Sequence, residues 1–301
     1  MNKSLKLYTF IFILLLSFSF TACNYAKPVE ENKTITSNSP KIDKPIEGIS
    51  SSSKDEDADI RFKYKDTHRS SNAANKAVKY TDIDPAKAKI PVLMYHSINE
   101  NSTNSLIIKP EEFAAEMKWL NDQGYTPLSL DELYGILTTG KNCPDKPVVI
   151  TFDDGYRDNY DNAYPILKKY GFKATIFVIT KYIDQPDCLT TENIKEMFNN
   201  NIDFESHTDT HSELSTLNYA AQLKELVTSR DKLSALLGKG TEYLCYPSGK
   251  YNNDTIKADA EAGYKMSFTT KPGFANKSYG LETIPRIRMY PGINMAAIRA
   301  N

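Results

Sequence analysis

Histidine and cysteine are scarce in this chain, tryptophan is scarcer, and neither sign of charge prevails. The 301 residues include four His, four Cys and one Trp, and 37 Lys plus Arg nearly cancel 38 Asp plus Glu. A net charge of −1 without a basic stripe excludes nucleic acid as an expected partner. No two cysteines stand in Cys-x-x-Cys spacing, so a cysteine-bound zinc is not expected. The apolar run Leu7 to Phe20 is shorter than the roughly 20 residues of a membrane-spanning helix. No internal repeat is present, and the single tryptophan, Trp119, shares an amphipathic pattern with Phe113, Met117 and Leu120 that assigns it to a core.

What the N-terminus does contain is a basic start, Lys3 and Lys6, followed by that apolar run and by Phe20-Thr21-Ala22-Cys23. This is the pattern of a secretory signal over residues 1–22. The cysteine after Thr21-Ala22 resembles a bacterial lipobox, which implies cleavage before Cys23 and a lipid on its thiol, tethering the protein to the outer face of the membrane. An ordinary signal peptide with Cys23 incidental is the alternative. Residues 23–87 are rich in Ser, Lys, Asp, Glu, Asn and Pro, with Ser50 to Ser53 and Lys54-Asp55-Glu56-Asp57 as extremes. Such a stretch buries too little apolar surface to offset its ordering entropy and reads as a flexible tether. If Cys23 is acylated, Cys143, Cys188 and Cys245 leave at least one thiol unpaired.

Residues 88–301 have a different texture. Strand-length apolar runs at Ile90 to Tyr95, Val148 to Phe152, Ala174 to Ile179, Ile202 to Glu205, Tyr243 to Tyr246 and Tyr264 to Phe268 alternate with helical patterns. The helices are expected at Pro110 to Gln123, Leu130 to Leu137, Asp158 to Tyr170, Thr191 to Asn199, Asn218 to Leu237 and Asn253 to Ala262. Gly171, Gly238 and Gly263 stop three of them. The alternation predicts a parallel α/β sheet, closed into a barrel rather than left open, whose chemistry lies where strands end and loops begin. The segment from Lys271 to Asn301 reads as loop-like.

Two short runs fall at such ends: Thr151-Phe152-Asp153-Asp154-Gly155, and Ser206-His207-Thr208-Asp209-Thr210-His211. Two imidazoles and one carboxylate can hold one face of a divalent cation and leave the rest open, while the spare aspartate acts as a base. Asp-Asp-Gly alone is most often a turn, and two His four apart are most often merely polar. In combination they predict metal-assisted hydrolysis.

At these residues the chain resembles the polysaccharide deacetylases of the NodB-homology type, carbohydrate esterase family 4, over about Ile90 to Ile298. The resemblance implies an irregular (β/α)7 barrel and removal of acetyl groups from glycans. It implies Asp154, His207 and His211 as ligands of a divalent metal, zinc in most cases and cobalt or nickel in others. Asp153 becomes the general base. The third family motif, Arg-x-Pro-Tyr-Gly, is replaced by Cys245-Tyr246-Pro247-Ser248-Gly249. The backbone amide of Ser248 can still receive the oxyanion, but the arginine that orients the base is absent. Arg286 or Arg288 is the candidate to replace it, or else is a surface or structural residue.

The family's late acid histidine is missing too, since no His follows His211. His68 lies in the tether, which leaves His96, at the end of the first strand, as the candidate acid. This early placement resembles the poly-N-acetylglucosamine deacetylase subgroup. Packing at the barrel rim is the alternative for His96. Tyr156, Tyr160, Tyr246 and Tyr251 lie near the motifs and could stack on sugars or simply pack. The implied partner is an acetylated glycan polymer, met by a monomer outside the cytoplasm. Peptidoglycan or chitin-type substrates, xylan acetyl esters and a non-catalytic carbohydrate binder remain open.

Overall fold

A computed structural model describes residues 78–101 and 104–299. The expected signal segment, Cys23 with its expected lipid, His68 and most of the tether lie outside the described residues. Seven strands form the frame: β1 (Val92–Tyr95), β2 (Pro147–Phe152), β3 (Ala174–Val178), β4 (Ile202–Ser206), β5 (Tyr243–Cys245), β6 (Met266–Pro272) and β7 (Ile284–Arg288). Each pairs in parallel with the next, and β7 returns to β1 through Ile287 opposite Leu93. The ring is therefore closed, as expected, and the barrel has no open edge.

Strand alternation divides the apolar residues between two cores. Leu93, Tyr95, Ile150, Phe152, Ile176 and Phe204 face outward into a cluster with Phe113 and Met117 of helix α1 (Pro110–Asp122). Val92, Val149, Phe177, Met266, Phe268 and Ile284 face inward, over Leu130 and Leu133 of helix α2 (Leu130–Thr139). Two residues beyond Val149, Tyr243 and Ile284, on the same inward face, stand Thr151, Cys245 and Arg286, all fully buried. The barrel interior is thus apolar at its base and polar toward the strand C-termini. The remaining helices are α3 (Tyr164–Tyr170), α4 (Thr191–Phe198), α5 (Tyr219–Leu237) and α6 (Asn253–Ala262).

Four expectations need correction. The loop-like reading of Lys271 to Asn301 missed β7, because Ile284-Pro285-Arg286 places a charged residue on the core face and so hides the strand pattern. The expected helix at Asp158 to Tyr170 begins instead with a π-helical turn, Asn159–Ala163, before α3. Asp158 explains the distortion: its carboxylate accepts from Ser97 Oγ (2.6 Å) and the Ile98 amide (3.0 Å), tying this turn to the loop after β1. Trp119 is only half-buried at the margin of the core, with Tyr125 at 5.6 Å and the Arg299 guanidinium over its ring.

The fourth concerns the tether, whose last ten residues belong to the fold. Tyr80–Thr81 pairs antiparallel with Cys143–Pro144, Ile83 N–H donates to Gly140 O at 2.8 Å, and Asp82 accepts from the Asn142 amide at 3.1 Å. A fragment starting at Ala88 should therefore melt roughly 5–10 °C below one starting at Val78, by differential scanning calorimetry, from the loss of three or so hydrogen bonds of about 1 kcal/mol each.

A second stability prediction concerns Glu116. It is 4% exposed, accepts from Tyr95 Oη at 2.8 Å, and has no partner for its other oxygen. Burial pushes its carboxyl up to about 7 in the fold, against an ordinary value near 4.5 in the unfolded chain. The protonated form is favoured by folding, so its stabilisation is present at low pH and lost as pH rises through about 7. Glu116→Gln should remove this dependence. Urea unfolding should show the natural protein losing about 2 kcal/mol relative to the variant between pH 5 and pH 8.

Candidate active site

Asp153, Asp154, His96, His207, His211 and Ser248 follow strand C-termini, and Arg286 lies within β7. The Asp153 amide donates to Tyr95 O at 3.0 Å, extending the β1–β2 ladder by one step and pointing its carboxylate inward like the hydroxyl of Thr151 two residues before it. Asp154 then adopts a left-handed conformation (φ 75°), and Gly155 follows at φ 77°. A Cβ on Gly155 would lie 3.0 Å from Val178 Cγ1, so the turn is both conformationally and sterically reserved for glycine. This reversal separates two sequence-adjacent carboxylates into two environments.

His207 leaves β4 with its amide donating to Val178 O at 2.9 Å. The chain to His211 is a loop with left-handed residues at Thr208 and His211. Side chains hold it from several directions. Thr210 donates twice to Glu225 of α5 at 2.8 Å, and Asp209 accepts from Thr180 Oγ1 and Lys232 Nζ at 2.6 Å. The result brings Nε2 of His207 and of His211 each to 3.4 Å from Asp154 Oδ1.

These three donors suit a divalent cation. His207 Nδ1 lies 2.7 Å from the Cys245 carbonyl, which can only accept, so Nδ1 carries a proton and Nε2 is the atom turned to Asp154. Burial opposes the charged ring, but Cys245 and Asp154 outweigh it and push its pKa up, so a cation bound there would take the place of the Nε2 proton. Burial first, and His207 second, push His211 down to about 4, so its imidazole is neutral at neutral pH. Burial works against ionisation of Asp154, but His207 and the neighbouring imidazoles outweigh it and hold the carboxyl well below its usual range. One carboxylate and two imidazoles, with one ligand atom each within 4.8 Å of the others, make a facial N2O donor set.

Asp153 is held apart from this trio. Arg286 forms a bidentate pair with it, Nη1 to Oδ1 and Nη2 to Oδ2, both 2.7 Å. Burial raises the Asp153 carboxyl, and the guanidinium more than compensates, leaving it below its ordinary range and ionised. It is thus Arg286 that supplies the guanidinium paired with Asp153, with Cys245 beside it. Arg288 is exposed and donates to Ser105 Oγ at 3.4 Å.

His96 stands at the end of β1 with Nε2 3.9 Å from Asp153 Oδ2. Its carbonyl accepts from Asn159 Nδ2 at 2.8 Å, and Nδ1 has no hydrogen-bond partner. Burial lowers its pKa, with the carboxylates of Asp153 and Asp154 pulling in the opposite direction.

After β5, Pro247–Gly249 makes a tight helical turn in which Ser248 (φ 54°) is exposed and left-handed. A Cβ on Gly249 would fall 2.2 Å from Thr270 Oγ1, so the turn is pressed against β6. Tyr246 requires a correction as a substrate contact. It faces away from the barrel interior, is fully buried, and donates to Asp259 Oδ2 at 2.6 Å. Tyr160 is likewise engaged, donating to Glu196 at 2.6 Å. Tyr251 and Tyr156 remain half-exposed. Asp158 and Asn159, which hold the His96 loop, were not singled out from the sequence. Neither was Thr151, although its position two before Asp153 places it on the same face.

Comparisons with known proteins agree with this geometry. The sequence profile described as Polysaccharide deacetylase matches residues 140–267. YxkH of Bacillus subtilis (strain 168), assigned to the polysaccharide deacetylases, is 46% identical over 213 residues, covering 71% of this chain and 76% of that protein. A poly-β-1,6-N-acetyl-D-glucosamine N-deacetylase of Staphylococcus aureus is 29% identical over 256 residues, covering 80% and 86%. Among solved structures, the Streptococcus pyogenes deacetylase PplD in complex with acetate superposes with a TM-score of 0.67 at 37% identity, covering 69% of this chain and 96% of that one. With its closed seven-strand barrel and the Asp154, His207 and His211 cluster at the strand ends, the chain belongs to the polysaccharide deacetylase family, whose members are hydrolytic enzymes that remove acetyl groups.

Proposed function

We propose that this protein is a metal-dependent deacetylase of N-acetylglucosamine-containing extracellular polysaccharide, releasing acetate. The observation that carries this reading is the division of labour between Asp153 and Asp154: one carboxylate is locked on Arg286, the other lies between two imidazoles. A divalent cation, most simply zinc, would be held by Asp154, His207 and His211 and would supply Lewis-acid polarisation when bound. Asp153 takes the proton from the attacking water, its free lone pairs aimed by the guanidinium. The Ser248 amide, presented by the strained turn after β5, is placed to receive the oxyanion. His96, across from Asp153, passes a proton to the departing amine. Tyr251 and Tyr156, both half-exposed, are the tyrosines proposed to meet sugar rings.

The name of the S. aureus relative supports a β-1,6-linked N-acetylglucosamine polymer as substrate. The basic, apolar and small-residue order of the first 22 residues supports export, and Cys23 a lipid anchor. Among the described residues no helix is long and apolar enough to cross a membrane. The protein acts as a monomer in this reading.

Acetate release by the full chain from β-1,6- and β-1,4-linked N-acetylglucosamine oligomers tests it, after chelation and with zinc or cobalt restored. Metal-restored release that is faster on the β-1,6 polymer is expected. No release from either, with one cation bound per chain, would overturn it. The roles of individual residues separate by metal analysis. Asp153→Asn and His96→Ala should each lower kcat by about 10²-fold or more with metal content unchanged, whereas Asp154→Asn and His211→Ala should lose the cation, as read by isothermal titration.

A further inference from the structure

The Arg286 guanidinium is more completely enclosed than its pairing with Asp153 requires. It is fully buried and has five N–H groups to satisfy. Asp153 takes two of them. The other three find separate acceptors from three strands: Nε donates to the Thr269 carbonyl on β6 at 3.0 Å, Nη1 to Thr151 Oγ1 on β2 at 3.2 Å, and Nη2 to Cys245 Sγ on β5 at 3.0 Å. The Phe177 ring of β3 lies beneath, 5.8 Å from the guanidinium carbon. Every donor is therefore used, and the plane of the fork is fixed from three sides.

The two side-chain acceptors are themselves oriented. The Thr151 hydroxyl donates its hydrogen to Leu93 O at 2.7 Å, which turns its lone pairs toward Arg286. The Cys245 thiol is directed at Asp153 Oδ2, 3.6 Å away, so it touches both members of the ion pair. Burial pushes that thiol up, which keeps it protonated and unreactive. Without these two acceptors, one Nη1 and one Nη2 hydrogen would be buried unpaired. The guanidinium could then relieve them only by rotating out of its bidentate alignment with Asp153.

We propose that Thr151 and Cys245 are positioning residues for the base: by taking the N–H groups that Asp153 leaves over, they fix the Arg286 plane and through it the direction of the Asp153 carboxylate. This rests on the deacetylase reading only in calling Asp153 a base. The geometry of the cradle does not depend on it.

The test uses the full chain with Thr151→Val and Cys245→Ala, which remove an acceptor, beside Thr151→Ser and Cys245→Ser, which keep one. Steady-state acetate release is combined with NMR of the Arg286 Nη–H groups, metal analysis and thermal melting. In the natural protein, with all five N–H groups engaged, the four Nη–H signals should be separate. In Thr151→Val and Cys245→Ala they should merge, and kcat should fall about tenfold or more with KM within twofold and metal content unchanged. The serine variants should keep both the separate signals and a kcat within threefold of the natural protein. Separate signals and unaltered kcat in the valine and alanine variants would overturn the proposal. So would a loss of kcat that the serine variants share. If the natural protein releases no acetate, the deacetylase reading fails, and the Nη–H spectra alone still decide the cradle.

Discussion

The rest of this barrel is arranged around one buried ion pair, Asp153 with Arg286. Moving two charges out of water costs several kcal/mol each, and their attraction repays this only with near-ideal geometry and full hydrogen bonding. Those conditions reach across the molecule. They require a bidentate fork and acceptors from β2, β5 and β6, in a layer where an ordinary barrel would place branched aliphatic residues. The polar layer is affordable because the layer below it is dry, packed with Val92, Val149, Phe177 and Met266 over α2. A carboxylate that stays ionised in a buried site is thus held by a cation that could not itself be buried without it.

The candidate metal cluster follows another logic. Its residues sit on turns rather than in strands, and Asp154, Thr208 and His211 all occupy left-handed backbone, as does Ser248 in the turn after β5. Non-glycine residues at such angles cost free energy that only a well-supported surround can sustain. Here the support is visible in Glu225, Lys232 and Thr180 around the His loop and in Asp158 around the His96 loop. Strain sits where side chains must converge from different strands, and the helices behind the loops bear it.

How much of this was legible in the sequence depended on how local the information was. Asp153, Asp154, His207 and His211 announce themselves because each pair lies within a few residues and at a strand end. The closed barrel was legible from the strand-helix rhythm. Strand β7 was not, since its inward residue is an arginine, and a charge on a core face cancels the alternation by which strands are recognised. Tyr246 was misjudged because closeness in sequence to a motif does not say which face of the strand a residue takes. It is one step from Cys245 and so points the opposite way. The ordered residues before Ala88 escaped notice because backbone hydrogen bonds, not apolar side chains, attach them.

Closure of the ring by β7 against β1 also bears on the order of assembly. Arg286 is the last of the site residues to emerge during synthesis, yet its partner on β2 belongs to the first half of the barrel. Without β7 the Asp153 carboxylate would lack its counter-charge, and burying it would cost free energy or make it take up a proton. The strand that closes the ring is thus also the one that carries the charge keeping Asp153 ionised within it.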